Sequence, residues 1–404
     1  MNADARNALT HWVHASALAG LPLEDLLAGF CERLRDAGLP LARGVLGVDT
    51  LHPTLTGYFF GWRARENAVR VTEYAREQEA VESDKWLRSP FWQLQQSGES
   101  HLRRRMHLGE GLDEFPILAE IRAEGATDYV CVRHRLTGDD AIVAIDAIYS
   151  SWSTERAGGF ADADVEALRD VVAALSVAAK GAAFARIARN IAETYLGRDV
   201  GERVLAGAIV RGQPEKLDAV IWFSDLEGFT RLTDSHAPEE IIQLLNDYAE
   251  ATVDAIHALG GDVLKFMGDG VLAMFRAATP EDSCRRALGA ALDARRRVAT
   301  LNARRAAAGR PTTDLYLALH AGEVFYGNVG SQSRLDFTVV GPAVNEAARI
   351  AAMCQSLDRD VLTSAAFAAS AGDVRARLVS VGRYALRGLS RAQELFTLDP
   401  EIAA

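Results

Sequence analysis

The sequence predicts a two-domain α+β protein, and three observations carry that expectation. The chain has 404 residues, more than one hydrophobic core commonly fills. Its first part mixes helical periodicity with short apolar runs bounded by turn residues. From Leu217 onward, single strand patterns alternate with long helical ones around a Gly-Asp-Gly hairpin signal. Hydrophobic residues make up 49% and charged residues 25%, the balance of a globular chain. The formal net charge of -11 argues against nucleic acid or an anionic membrane surface as the main partner.

In chain order, Leu21 to Ala37 places apolar residues three and four apart, as an amphipathic helix does. LARGVLGVDTLHPTLTGYFFGWRA reads as two strands around a proline-containing turn. Glu66 to Glu124 is less regular and rich in charge. YVCVRHRL and AIVAIDAIYS read as two more strands joined by TGDD. A helical pattern then runs unbroken from Ala163 to Tyr195, with Asp162 or Asp164 as N-cap. Gly197 to Lys216 is a glycine-containing joint. The expected organisation is an N-terminal domain over 1–180, a helical linker and joint over 181–216, and a C-terminal domain over 217–404.

Other signals are mild. Cys31, Cys131, Cys284 and Cys354 form no CxxC pair and read as buried thiols in a reducing compartment. The N-terminus has no basic region followed by an apolar core, and no apolar run reads as long enough to span a bilayer, so a cytoplasmic protein without membrane contact is expected. Trp12, Trp62, Trp86, Trp92 and Trp152 suit core packing better than a ligand pocket. His101 and His107 lack metal-ligand spacing, and Arg103, Arg104 and Arg105 read as a solvated face.

The chemistry concentrates in the C-terminal half. In FSDLEGFT, Asp225 stands where a strand stops and a turn with Gly228 and Phe229 begins. In KFMGDG, Asp269 stands at the tip of a hairpin. Side by side in one sheet, these carboxylates and the Leu226 carbonyl would offer hard oxygen ligands to magnesium or manganese carrying a nucleotide phosphate. Each motif alone is equally a turn former or helix cap. In VNEAAR, Asn345 and Arg349 lie four apart on one helix face, where an amide and a guanidinium can hold a phosphoryl group as its charge develops, or be an ordinary exposed pair.

FSDLEGFT, KFMGDG, GNVG, DFTVVG and VNEAAR, in this order, resemble the catalytic domain of class III adenylyl and guanylyl cyclases over roughly Leu217 to Thr397. The resemblance implies a ferredoxin-like, palm-type fold. It implies formation of a 3',5'-cyclic nucleotide and pyrophosphate with two metal ions (Mg2+ or Mn2+) per site, bound by Asp225, Leu226 and Asp269. It places base selection on Lys265 and Thr338 rather than on the nearby Asp336. Lysine with threonine resembles the bacterial adenylyl type, hence ATP as substrate; a glutamate at the lysine position would suit GTP. Asn345 and Arg349 fall on the transition-state positions, Arg387 on a terminal-phosphate position, and Gly228 and Phe229 on the substrate side. Glu227 departs from the family pattern, and His320 reads as structural. Sites shared across a homodimer are implied, with Asp225 and Asp269 from one chain and Lys265, Thr338, Asn345 and Arg349 from the other. A guanylyl cyclase and a catalytically inactive nucleotide-binding signalling module are the alternatives. Leu21 to Lys180 loosely resembles a GAF-type sensor for an unknown small-molecule or protein effector, relayed to the catalytic half through the Ala163–Tyr195 helix.

Overall fold

A computed structural model describes residues 1–75, 84–136, 147–212, 214–388 and 391–399. The expected TGDD turn and the following AIVAID, residues 137–146, lie outside the described residues. The Cα framework divides into two compact units, Met1–Ile191 and Ala192–Ala404.

The first unit begins with α1 (Ala3–Leu18) and α2 (Leu23–Asp36). Leu23, Leu26, Leu27, Phe30 and Leu34 form the buried stripe of α2 at the spacing that a helix requires. Six strands follow: β1 (Arg43–Asp49), β2 (Leu55–Arg63), β3 (Ala68–Ala75), β4 (His101–Arg104), β5 (Asp128–Arg135) and β6 (Ala147–Thr154). They form one antiparallel sheet in the order β3-β2-β1-β6-β5-β4. The region expected to be irregular holds β3, β4, α3 (Pro90–Ser97) and α4 (Pro116–Ala123). Its helices are short and begin at Pro, which periodicity over a longer window misses. The long α5 (Asp162–Leu196) follows the sheet.

Two cores flank this sheet. One joins α1, α2 and α5 around Trp62 and Trp152, both fully buried. The other gathers Phe91, Met106, Phe115 and Tyr149, with Trp86 edge-on to Tyr149 at 5.6 Å between centroids. Trp12 lies under the Arg33 guanidinium. The tryptophans are thus spread over separate packing environments. Cys31 and Cys131 are buried, and desolvation raises both thiols, Cys131 to about 12. His107 faces the Thr127 carbonyl through Nδ1 at 3.1 Å, and among the described residues no cluster of three His, Cys, Asp or Glu side chains suits a metal.

Two expectations are corrected here. Arg103 is not a solvated residue: its guanidinium meets the fully buried Asp128 at 2.7 Å, Asp162 at 2.6 Å and the Phe160 carbonyl at 2.6 Å. A buried carboxylate needs such a partner, and the partner lies 25 residues away in sequence. Among the described residues one helix, α5, is by length and composition long and apolar enough to cross a membrane, against the expectation of none. Half of its apolar window is buried, and Leu168, Val171, Val172 and Leu175 sit in the first core.

The second unit starts with α6 (Arg198–Leu205) and β7 (Glu215–Leu226). Then come α7 (Phe229–Ser235), α8 (Pro238–Ala258), the hairpin β8 (Asp262–Met267) and β9 (Gly270–Phe275), α9 (Pro280–Ala307), β10 (Leu315–Gly330) and β11 (Leu335–Val340). The chain closes through α10 (Pro342–Ala351), α11 (Cys354–Leu357), β12 (Val361–Ser364), α12 (Ala365–Ser370), β13 (Leu378–Tyr384) and β14 (Gln393–Leu398). The sheet order is β13-β14-β12-β10-β7-β9-β8, with β11 paired to β10. The four central strands β10-β7-β9-β8, antiparallel throughout and linked by α7–α8 and α9, make the ferredoxin-like arrangement that the motifs predict. Successive residues of β7 face opposite sides. Val220 and Trp222 enter the core with α8 and α9, while Ala219 and Ile221 enter one with Ala343 and Ala347 of α10.

Candidate active site

The carboxylate pair comes first. β7 pairs with β9 up to Ser224↔Val271 and with β10 up to Leu226↔Leu315. Asp225 therefore sits just past the last β9 partner, at the C-terminal end of β7. The β8–β9 turn reaches that end because residue 270 is glycine: a Cβ there would lie 2.7 Å from the Ser224 carbonyl oxygen. The turn itself passes through Gly268 at φ +67°. Asp269 at its tip accepts the Leu226 N–H at 3.2 Å. Asp225 is raised to about 7, first by partial burial, then by its hydrogen bond to Asp269 and the like charge there.

Two carboxylates held this close disfavour each other's ionisation, and a divalent cation between them would remove that penalty. The donor set is all oxygen, which fits Mg2+ or Mn2+. Two side chains are few for a metal, so the Leu226 carbonyl and phosphate oxygens of a substrate would have to complete the shell. Gly228 caps the following turn at φ +63°, in the left-handed region that a side chain resists. Phe229 is half-buried against the core that holds Trp222. The carboxylate of Glu227 is engaged by the Tyr316 hydroxyl, and its N–H donates to the Asp314 carbonyl at 2.8 Å.

A second group lies on β8 and β11. Lys265 Nζ meets Asp336 Oδ2 at 3.0 Å. Asp336 and Thr338 occupy one face of β11, two residues apart. Phe337 and Val339 point the other way, into the core with Leu264 and Tyr326. Thr338 is 5% exposed, and its Oγ1 has no hydrogen-bond partner. An unsatisfied buried hydroxyl is costly unless something else satisfies it. The sequence reading set Asp336 aside on spacing, yet it is the residue that Lys265 contacts. The available signal was the period of two that puts it on the Thr338 face.

The third group is on α10. Pro342 opens this helix, Ala343, Ala347 and Ile350 bury its inner face, and Asn345 and Arg349 fall on the opposite one. Among the described residues Arg349 makes no hydrogen bond or ion pair. The chain at Gly388 runs against its guanidinium, since a Cβ on Gly388 would lie 3.3 Å from Arg349 Nη2. That contact carries the exposed Arg387 to the same neighbourhood. Behind α10, His320 is 6% exposed and its Nδ1 has no hydrogen-bond partner. Burial lowers it to about 4, which keeps it neutral, and Glu346 at 3.9 Å is too distant to bond it directly.

Within one chain these groups stay apart. Among the described residues no hydrogen bond or ion pair links Asp225 or Asp269 to Lys265, Asn345 or Arg349. Lys265 lies within β8, two residues before its end, whereas Asp269 lies in the turn beyond that end.

Comparison with known proteins agrees with this construction. Residues 213–399 match the family model described as the Adenylate and Guanylate cyclase catalytic domain. Adenylate cyclase 1 of Rhizobium meliloti (strain 1021) is 29% identical over 179 residues, 43% of this chain and 26% of that protein. An uncharacterized protein of Mycobacterium bovis (strain ATCC BAA-935 / AF2122/97) is 37% identical over 210 residues, 50% of this chain and 36% of that protein. The matched stretch thus spans only about a quarter to a third of these relatives. A bacterial light-regulated adenylyl cyclase structure superposes with a TM-score of 0.46 at 24% identity, covering 59% of this chain and 66% of that one. Over residues 213–399 the chain is thus similar to adenylate and guanylate cyclase catalytic domains.

Proposed function

We propose that this chain is an adenylyl cyclase, converting ATP to 3',5'-cyclic AMP and pyrophosphate at sites shared between two copies of itself. The observation that carries the reading is the Asp225–Asp269 pair, two carboxylates brought together by the close approach of Gly270. Two divalent cations, Mg2+ or Mn2+, would when bound stabilise the attacking and leaving oxygens at the α-phosphorus. Asp225, Asp269 and the Leu226 carbonyl would hold them. Gly228 leaves the backbone open to phosphate, with Phe229 packed beneath the turn.

Base selection falls to Lys265 and Thr338. Lysine donates to adenine N1, an acceptor, and meets a donor at the same place on guanine. The unpartnered Thr338 hydroxyl accepts from the exocyclic amine. Asn345 and Arg349 stabilise the charge that develops on the phosphoryl oxygens, with Arg387 toward the terminal phosphates. Among the described residues no hydrogen bond or ion pair joins the carboxylate pair to Lys265, Asn345 or Arg349, which favours a division of labour between chains. One copy supplies the carboxylates, and the other supplies Lys265, Thr338, Asn345 and Arg349.

The N-terminal unit is proposed as a GAF-like sensor, on its six-stranded antiparallel sheet flanked by helices, in a cytoplasmic regulated enzyme. Its effector is a small molecule or a protein.

Purified protein is incubated with ATP or GTP and Mg2+ or Mn2+, and products are separated chromatographically. Cyclic AMP from ATP, lost in Asp269→Ala, is expected; cyclic GMP alone overturns the adenine assignment. Mixing inactive Asp225→Ala and Arg349→Ala chains is expected to restore activity, and no recovery would refute shared sites.

A further inference from the structure

Lys265 is a long flexible side chain asked to read one nitrogen of a base, and the fold gives it a second partner. Its ammonium contacts Asp336 Oδ2 at 3.0 Å, across 71 residues of sequence. The position of Asp336 is fixed. Phe337 and Val339 are buried on the other face of β11, and Phe337 meets Tyr326 edge-on at 4.8 Å between centroids. The pairing Gly327↔Thr338 and Val329↔Asp336 locks the register on β10. A one-residue slip would turn Phe337 out and both polar residues in, so the core itself keeps Asp336 and Thr338 on a common face.

The contact is poorly suited to a role in stability. The two side chains are 36% and 57% exposed, and such surface pairs contribute little to folding. Its geometric effect is larger. A lysine that is already held loses less rotamer freedom when a base arrives, and two of its three N–H groups stay available.

We propose that Asp336 is a positioning residue for Lys265 and, through it, a determinant of purine selection. This rests on the reading of Lys265 and Thr338 as the base-selecting pair. A lysine held on the Thr338 face presents a donor to the base edge at a fixed place, which adenine N1 accepts and guanine N1–H opposes. A released lysine swings away from guanine, and the distinction weakens.

The test uses the full chain. ATP and GTP are titrated in competition against a fluorescent ATP analogue with Mn2+, and kcat and KM are measured for both nucleotides, in wild type, Asp336→Asn, Asp336→Glu and Lys265→Ala. Asp336→Asn is expected to weaken ATP binding and lower the ATP:GTP preference by about tenfold, the scale of one hydrogen bond to a charged group. The loss should lie mainly in KM, and Asp336→Glu should recover part of it. An unchanged melting temperature separates this from a folding defect. If Lys265→Ala shifts the preference and Asp336→Asn does not, the base-pocket reading stands and the role of Asp336 falls. The role of Asp336 also falls if Asp336→Asn binds ATP more tightly, because the carboxylate then competes with the base. If Lys265→Ala leaves the preference unchanged, the base-pocket reading fails, and this inference with it.

Discussion

Asp128 in the first unit and Asp225 in the second are both carboxylates at strand termini, and they have opposite surroundings. Asp128 opens β5, is fully buried, and has every need met within the fold. Arg103 grips it through two nitrogens, and the Tyr129 and Phe160 N–H groups donate at 2.9 and 3.0 Å. Asp225 closes β7, is exposed at the strand end, and faces another carboxylate. The fold satisfies the first charge with a cation of its own. It sets the second against a like charge, with the Leu226 N–H donating to the pair, an arrangement that an external cation would improve. A buried carboxylate with a built-in guanidinium belongs to architecture, whereas one with a like-charged neighbour is a candidate for binding.

Substitution should separate the two most sharply. Asp225→Ala is expected to cut cyclic nucleotide formation by about a thousandfold or more, the scale of losing a metal ligand or a main electrostatic contact in phosphoryl chemistry. The same change should leave the melting temperature level or raise it, because one of two opposed charges is gone. Parallel product assays and thermal melts of the full chain check both halves. Asp128→Ala should reverse the pattern. It removes the buried partner of Arg103, 15% exposed, which keeps only the exposed Asp162 and the Phe160 carbonyl, and is expected to cost about 3 kcal/mol in the N-terminal unit, read as an earlier unfolding transition in urea. A version of Asp128→Ala that unfolds at the wild-type urea concentration would remove the contrast.

What could be seen in the sequence follows the same line. The end of β7, the Gly-Asp-Gly hairpin and the Asn345–Arg349 spacing are local features, and local chemistry marks them: an apolar run that stops, a glycine that permits a turn, two residues one helical turn apart. The structure shows each as the local element its pattern describes: a strand end, a hairpin turn and a helix face. Partners distant in sequence leave no such trace. Arg103 looked solvated because the buried Asp128 that holds it is 25 residues away, and Asp162 is 59 away. Asp336 looked incidental because Lys265 is 71 residues away and on another strand. The spacing rule that favoured Thr338 carried no information on which side chain the lysine would reach. Short helices that start at proline, α3 and α4, were hidden for a related reason: eight residues hold too few turns for a period to show.

A weaker contrast comes from His320. Burial keeps this ring neutral down to about 4, whereas in the unfolded chain it takes a proton near 6.5. Between those values the unfolded state binds a proton that the folded state refuses, so stability falls as pH drops from about 6.5 toward 4. The full shift corresponds to about 3 kcal/mol, reached only at the acidic end. His320→Gln should flatten the decline in the melting temperature of the C-terminal unit over that window. An equally steep decline in the variant would assign the acid sensitivity to other groups.

The smallest effect tests the comparison most directly, since it adds a cation rather than removing a carboxylate. On the proposed reading Mn2+ would bind the folded Asp225–Asp269 pair and find no matching site in the unfolded chain, so it should raise the melting temperature of the C-terminal unit by linkage. The gain is about 1–3 kcal/mol at ten to a hundred times the dissociation constant. Asp269→Asn should abolish the rise, because an amide leaves one carboxylate for the cation and removes the repulsion that the cation relieves. Asp128→Asn should leave the rise intact, because its partner is a guanidinium already in place. An undiminished rise in Asp269→Asn would put the cation elsewhere, and the two aspartates would then differ only in burial.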